Sequence, residues 1–269
     1  MKKIENLYLK RERNIHNKWA KENNYEPFNI KAFKNGISLP EFKWLLNKQN
    51  LKNKKILDIG CGLGEASIYF AMQGADVSAI DISDKVIEKG SKEAKKYKVQ
   101  INFIKNNGEN LDMFKDEYFD YIYASNLLHH LNIQTTIKQI YLKLKKNGIF
   151  LSWDPIAYNP LINIYRKLAS KVRTDDEQPL KKKDILLICE NFNSYEIKYF
   201  WLTGLLVFIK FFLFDFQNPS KTRYWKKVVY EEKKYAKFLK ITHRIDNQII
   251  KIFPFLKYLM WNVAIRAKK

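Results

Sequence analysis

The stretch LDIGCGLG, residues 57–64, decides the fold. A short apolar run, residues 55–59, reads as a strand and stops in a loop with glycines at 60, 62 and 64. Glycine tolerates positive φ and lets a ligand approach the backbone. The helix predicted to follow, residues 65–73, offers unpaired N–H groups at its start. A dinucleotide loop of the form G-x-G-x-x-G would seat a pyrophosphate there. Here Glu65 follows the third glycine, and a carboxylate beside a pyrophosphate is repulsive, so NAD and FAD are disfavoured.

Working outward, the next predicted strand, residues 76–80, ends at Asp81, 21 residues after Gly60. A carboxylate at that place can accept hydrogen bonds from both hydroxyls of a ribose. The ligand that suits both features is a nucleoside without phosphate. Strands and helices then alternate. Strands are expected at 101–104, 119–124, 149–153 and 195–202, and helices at 84–97, 135–146 and 181–191, the first of these capped by Ser83 or Asp84. Strands alternating with helices of this length imply right-handed βαβ units and a parallel sheet. Ligands of such sheets lie beyond the carboxyl ends of the strands.

Both ends of the chain depart from that pattern. Helices are expected over 5–22 and 39–50, and after Asn159-Pro160. Residues 205–216 read as an apolar helix, residues 221–252 as a basic helix or pair of helices, and 259–267 as a last strand. The division expected is an N-terminal helical lid (1–50), a core (51–203), a helical insertion (204–254), and a last strand with its tail (255–269).

The chain has 269 residues, 46% of them hydrophobic, which supports a sizeable core without a disordered segment. Its net charge of +21 is uneven. Lys and Arg outnumber Asp and Glu by 14 to 5 in residues 1–55 and by 15 to 4 in 200–269, but only by 20 to 19 between them. Basic ends suit an anionic partner: acidic lipid, nucleic acid or an anionic substrate. The insertion, apolar beside basic, has the composition of an interfacial helix, although the run before Lys210 is too short to span a bilayer. Cys61 and Cys189 form neither a disulfide framework nor a metal spacing, and no apolar leader follows the basic N-terminus. The expectation is a cytoplasmic protein, peripheral at most to the inner face of the membrane, with no metal.

The segments LDIGCGLG, DVSAIDIS, NNGENL, FDYIYASNLLHHL and LKKNGIFLSWDP together resemble the successive motifs of class I S-adenosylmethionine (SAM)-dependent methyltransferases. Among these the chain is most similar to the small-molecule group that includes the ubiquinone/menaquinone methyltransferases. The resemblance is firm over residues 38–155. It implies a Rossmann-like doubly wound sheet of seven strands with the last antiparallel, N-terminal helices and a helical insertion before the last strand. It also implies that Asp58 and the loop of Gly60, Cys61, Gly62 and Gly64 hold the methionine end of SAM. Asp81 would bind the ribose and Ile82 would lie against the adenine. Asn107, where the family usually has Asp, and Gly108 would meet the adenine edge, and Asn126 would lie near the sulfonium.

SAM arrives activated, so alignment of donor and acceptor is the main task, and a general base helps only an acceptor that must lose a proton. His129 and His130 follow the strand that ends near Asn126 and are candidates for that base; a histidine fixed by packing is the competing reading. His16, with Trp19, could close over the substrate from the N-terminal helix. His243 is expected to be solvated. The polar run 173–177 could meet a cationic or hydroxylated acceptor or be a solvated loop. No N-P-P-Y, D-P-P-Y or Pro-Cys motif follows the fourth core strand, which lowers the nucleic-acid reading. The acceptor expected is therefore a small molecule, conceivably lipid-like. The alternatives are an RNA methyltransferase with basic ends that clamp a backbone, or a SAM-binding module without catalysis.

Overall fold

The computed structural model describes residues 2–21, 29–169 and 177–269, with side chains from residue 9 onward except at 19–21. Its frame is one sheet of seven strands. These are β1 (Lys55–Ile59), β2 (Asp76–Asp81), β3 (Asn102–Lys105), β4 (Phe119–Ser125), β5 (Leu144–Pro155), β6 (Ser194–Phe200) and β7 (Asn262–Lys268), in the order β3-β2-β1-β4-β5-β7-β6. The first five pair in parallel, and β7 runs antiparallel between β5 and β6, as the resemblance implies.

Alternation along the strands fills both faces. Ile56, Tyr121, Tyr123, Leu151 and Trp153 enter one core, and Leu57, Ile59, Ile122, Ala124 and Phe150 the other. Successive strand side chains point to opposite faces, so a strand apolar at every position must be covered twice. The covering helices near the sheet are α4 (Glu65–Met72), α5 (Asp84–Lys96), α6 (Ile133–Lys143) and α8 (Lys182–Glu190). Ser83 supplies the cap of α5, its Oγ accepting from Val86 N–H at 3.2 Å. The helix predicted to run to residue 146 stops at Lys143, because Leu144 already begins β5 beside Phe119.

The cap is more elaborate than the sequence suggests. N-terminal α1 (Lys2–Lys21) lies on α5, and Ser83 Oγ donates to Asn17 Oδ1 at 2.6 Å. The helix expected over 39–50 is the shorter α3 (Pro40–Leu45), which packs across β5, β6 and β7, and a further short helix, α2 (Ile30–Asn35), precedes it. Then come α7 (Pro160–Leu168) and, between β6 and β7, α9 (Leu206–Leu213), α10 (Tyr224–Tyr230) and α11 (Glu232–Ile252). Residues 254–259 form a 3₁₀ turn, so the last strand, expected over 259–267, begins only at Asn262.

Buried carboxylates on α11 fasten the cap. Glu232 accepts from Ser38 N–H, Ser38 Oγ and Asn35 Nδ2 at 2.6–2.9 Å. Asp246 accepts from the Leu202 and Thr203 N–H groups and from Thr203 Oγ1 at 2.6–3.0 Å. His243 is not solvated. It is mostly buried, its Nε2 lies 3.1 Å from the Ile37 carbonyl oxygen, its ring meets Trp201 edge-on, and burial holds its pKa down.

Candidate active site

A cavity of about 310 Å³ opens at the carboxyl ends of β1, β2 and β4 beneath the cap. Its first wall is the 60–64 loop. Gly60 has φ +69°, and a Cβ there would stand 2.8 Å from Leu127 Cδ1. Gly62 has φ +54°, and a Cβ there would meet no protein atom within 4 Å, so the backbone faces open space. Cys61 lines the cavity as a buried thiol whose pKa burial raises, and so acts as packing rather than as a nucleophile. Gly64 lies behind the wall; with φ +83° it begins α4 and touches Phe103.

Two carboxylates flank the loop. Asp58, on β1, is buried and accepts from Ser67 Oγ at 2.5 Å; burial pushes its carboxyl up to about 7. Asp81 ends β2 and accepts from Gly62 N–H at 3.1 Å and Ser83 N–H at 2.9 Å, while burial raises its pKa as well. A carboxylate has about four acceptor sites, so Asp81 keeps capacity for ribose hydroxyls. Ile82 and Asn107 also line the cavity. The Asn107 side-chain oxygen already accepts from Glu109 N–H at 3.1 Å, so an adenine amino group would share it. Gly108 does not line the cavity. Its φ of +79° makes the turn, with Ile59 Cγ2 2.9 Å from a built Cβ, and Asn106 is the cavity residue that the sequence reading missed. Asn126 lies at the end of β4 with φ +49°, held by its N–H to the Trp153 carbonyl oxygen at 2.8 Å.

The histidines part company. His129 is buried, and its Nδ1 lies 2.7 Å from Asp154 Oδ1. Asp154, on β5, is fully buried, and burial pushes its carboxyl up to about 8. When ionised, Asp154 accepts from the Nδ1–H of His129 and leaves Nε2 as the nitrogen available for proton transfer. Asp154 escaped the sequence reading because it looks like an ordinary strand-end acid in WDP. His130 lies against Glu12 of α1, 3.4 Å away; burial alone would lower its pKa, but that carboxylate and others leave it raised. His16 also lines the cavity, pairs with Glu12 at 3.6 Å and lies within electrostatic reach of Asp81. His16 thus shares Glu12 with His130 and also faces Asp81, between the histidine pair and the strand-end carboxylates. The Trp19 side chain and residues 173–176 lie outside the described residues. Glu177 lines the cavity, and its carboxylate lies within 4.8 Å of ligand atoms of His129 and His130.

The second wall belongs to the cap. It includes Phe33, Glu41, Trp201, Trp225, Trp261 and Asn262. Among the described residues, six carboxylates line the cavity (Glu12, Glu41, Asp58, Glu65, Asp81, Glu177) against two permanent cations, Arg223 and Lys226. The cavity is therefore acidic inside a strongly basic protein. A pyrophosphate would be repelled there. A sulfonium with an α-amino group, lacking phosphate, suits the carboxylates and the open face of Gly62, so the residues present fit SAM.

The likenesses to other proteins agree with this geometry. Residues 57–152 match the family described as a methyltransferase domain. The chain is 40% identical over 128 residues to a ubiquinone biosynthesis O-methyltransferase of Pelagibacter ubique, covering 47% of this chain and 52% of that one. The chain thus spans about half the length of the curated relatives it matches. Its fold is similar to a SAM-dependent methyltransferase of Thermotoga maritima described as a possible histamine N-methyltransferase, with TM-score 0.58, 16% identity, and coverage of 96% and 99% of the two chains. It is also similar to the magnesium protoporphyrin IX methyltransferase of Synechocystis, solved with bound SAH (TM-score 0.50, 14% identity, 89% and 83% covered). Residues 57–152 thus match a methyltransferase domain, and motifs and sheet order agree with the fold of the class I SAM-dependent methyltransferases.

Proposed function

We propose that this chain transfers the methyl group of SAM to a small-molecule acceptor held under the cap. The observation that carries the reading is the acidic cavity at the strand ends, with Asp58 and Asp81 on either side of a glycine loop open at Gly62. The 60–64 loop and Asp58 take the methionine end, Asp81 the ribose, and Ile82, Asn106 and Asn107 the adenine side. When bound, SAM supplies a methyl carbon activated by its sulfonium. The chain aligns an acceptor with that carbon and excludes water, the source of most of the rate in such a displacement. Where the acceptor atom carries a proton, His129 Nε2 receives it, and Asp154 stabilises the imidazolium that results.

The structure favours one refinement of the setting. Leu206, Phe212, Leu213, Phe214 and Phe216 are exposed on and after α9, and Ile164 and Leu168 on α7. Four of them, Ile164, Leu168, Phe212 and Leu213, line a second, apolar hollow together with Leu161, Phe208 and Pro219. An apolar face on a basic segment is suited to peripheral contact with an anionic membrane, and so to a lipid-like acceptor. Among the described residues no helix is long and apolar enough to cross a membrane. A polyanion such as RNA meets six carboxylates at the reaction site, which argues against the RNA alternative.

The test is direct. Calorimetry should show SAM and SAH binding and no NAD binding. Methyl-labelled SAM incubated with fractionated lysate should pass label to small molecules, in the lipid or the polar fraction. NAD binding in place of SAM would end the reading, and label confined to RNA or protein would end the choice of acceptor.

A further inference from the structure

The cap wall holds a carboxylate that neither cofactor binding nor proton removal uses. Glu41, on α3, is 1% exposed. Its Oε1 accepts from Asn262 Nδ2 at 2.7 Å, and the Trp201 side chain also hydrogen-bonds to it. Among the described residues no lysine, arginine or histidine pairs with it, and burial pushes its carboxyl up to about 7. Asn262 is 2% exposed, and its Oδ1 is buried without a hydrogen-bond partner. Both residues line the cavity. A buried carboxylate and a buried orphan oxygen are costly unless a donor arrives to satisfy them.

The surroundings say which donor. Trp201 and Trp261 line the same wall, their rings 6.0 Å apart and inclined at 76°. Aromatic faces beside a buried carboxylate attract an organic cation, and repel a carboxylate or phosphate. Nor is this the place for the cofactor's own amino group. Asn262 opens β7, which is three strands from β1 across β4 and β5, roughly 14 Å at the usual strand spacing.

We propose that the methyl acceptor carries a basic nitrogen, held as an ammonium by Glu41 and Asn262 Oδ1 against Trp201 and Trp261. The assignment rests on the methyltransferase reading and narrows its acceptor to a cationic small molecule with an apolar body. The ammonium donates to both oxygens and completes the charge of Glu41. Glu41→Gln removes the charge with little change in shape, and Asn262→Leu removes the orphan acceptor.

The experiment measures binding of phenethylamine, phenethyl alcohol and hydrocinnamate, one apolar body with three head groups, to protein saturated with SAH. Tryptophan fluorescence and calorimetry are the readouts. Phenethylamine is expected to bind roughly tenfold or more tightly than either of the others, as a charge-assisted hydrogen bond requires. Glu41→Gln is expected to lose that preference while its affinity for SAH stays within about twofold. Equal binding of the three probes, tighter binding of hydrocinnamate, or no binding of the amine at millimolar concentration overturns the proposal. So does a Glu41→Gln protein that keeps the amine preference. The wild-type comparison stands even if the variant does not fold. Failure of the wild type to bind SAH brings down the methyltransferase reading itself, and SAH binding without amine preference brings down only this proposal.

Discussion

The two walls of the cavity are built in opposite ways. The sheet wall uses consecutive residues, a loop of glycines between the end of β1 and α4, with the buried carboxyls of Asp58 and Asp81 on adjacent parallel strands. The cap wall joins residues far apart in the chain. Glu41 meets Asn262, Ser38 meets Glu232, and Thr203 meets Asp246. On the sheet wall backbone geometry shapes the space, so ligand specificity there follows from where N–H groups and carboxylates stand. On the cap wall side chains shape it, and specificity there can change without disturbing the sheet. One wall thus suits a constant cofactor and the other a particular acceptor.

The comparison breaks most sharply at the pair that sits between the walls. His129→Ala is expected to lower turnover by about 10²–10⁴-fold while SAH affinity stays unchanged. Asp154→Asn should lose a comparable share, because an amide cannot hold the imidazole in the same tautomer or stabilise its charged form. The wild-type rate should also fall as pH drops below about 8, where the Asp154 carboxyl takes up a proton and no longer holds Nε2 free. Near-normal turnover in both variants, with a flat pH profile, would reduce His129 to a packing residue and leave alignment as the catalytic device.

The sheet wall gives the next largest effect. Asp81→Ala removes the ribose carboxylate and also the acceptor of the Gly62 and Ser83 N–H groups. A loss of about 1–3 kcal/mol in SAH binding is expected. Gly62→Val should cost at least as much, since its Cβ would occupy ligand space at a positive φ. Unchanged calorimetric affinity in a folded Asp81→Ala protein would remove Asp81 from the nucleoside site.

What was legible in the sequence follows the same division. The period of strands and helices disclosed the parallel sheet and LDIGCGLG with Asp81 its ligand edge, because each is written in neighbouring residues or in a repeated period; the antiparallel seventh strand came only with the resemblance. Glu41, Asp154, Glu232 and Asp246 gave no local signal. Each is one acid in an unremarkable helix or strand, and its meaning comes from a partner up to about two hundred residues away. His16 is a related case: its position on a polar helix says nothing of which end of the cavity the helix crosses. Gly108 looked like part of a ligand motif, but its turn only delivers Asn106 and Asn107.

Buried acids on both walls predict an unusual pH dependence. Glu41, Asp58 and Asp154 have carboxyls raised to about 7, 7 and 8, against about 4 when unfolded. Between those values the native state holds more protons than the unfolded state, so stability falls as pH rises from about 5 to about 8. His130, raised by its acidic neighbours against the effect of burial, adds to that slope, and His243, lowered by burial, opposes it. The melting temperature of the ligand-free protein should therefore decline over this range, and Glu41→Gln should flatten the decline. A melting temperature that is constant or rises from pH 5 to pH 8 would contradict the burial of these groups without cations.

The smallest effect concerns the outer face of the cap, and there the structure redirects the choice of residues. Of the lysines in this basic segment, Lys226 lines the cavity and Lys227 is tied to Glu231 at 2.5 Å. Lys233 and Lys234 remain exposed. The apolar contribution comes from elsewhere, with Phe214 73% and Phe216 86% exposed just beyond α9. Exposed rings of this size insert at the boundary between headgroups and acyl chains, and each lysine near an anionic surface adds about 1 kcal/mol. Vesicles rich in phosphatidylglycerol should therefore float the protein and phosphatidylcholine vesicles should not. Phe214→Ser with Phe216→Ser should reduce flotation several-fold, and Lys233→Glu with Lys234→Glu should reduce it less and only at low salt, because screening already weakens exposed charges at physiological ionic strength. Turnover of a water-soluble acceptor should be unchanged in both double variants, since none of these four residues lines the cavity. If the phenylalanine pair floats like the wild type, the patch does not touch membrane, and the acidic cavity then serves an acceptor that arrives from solution.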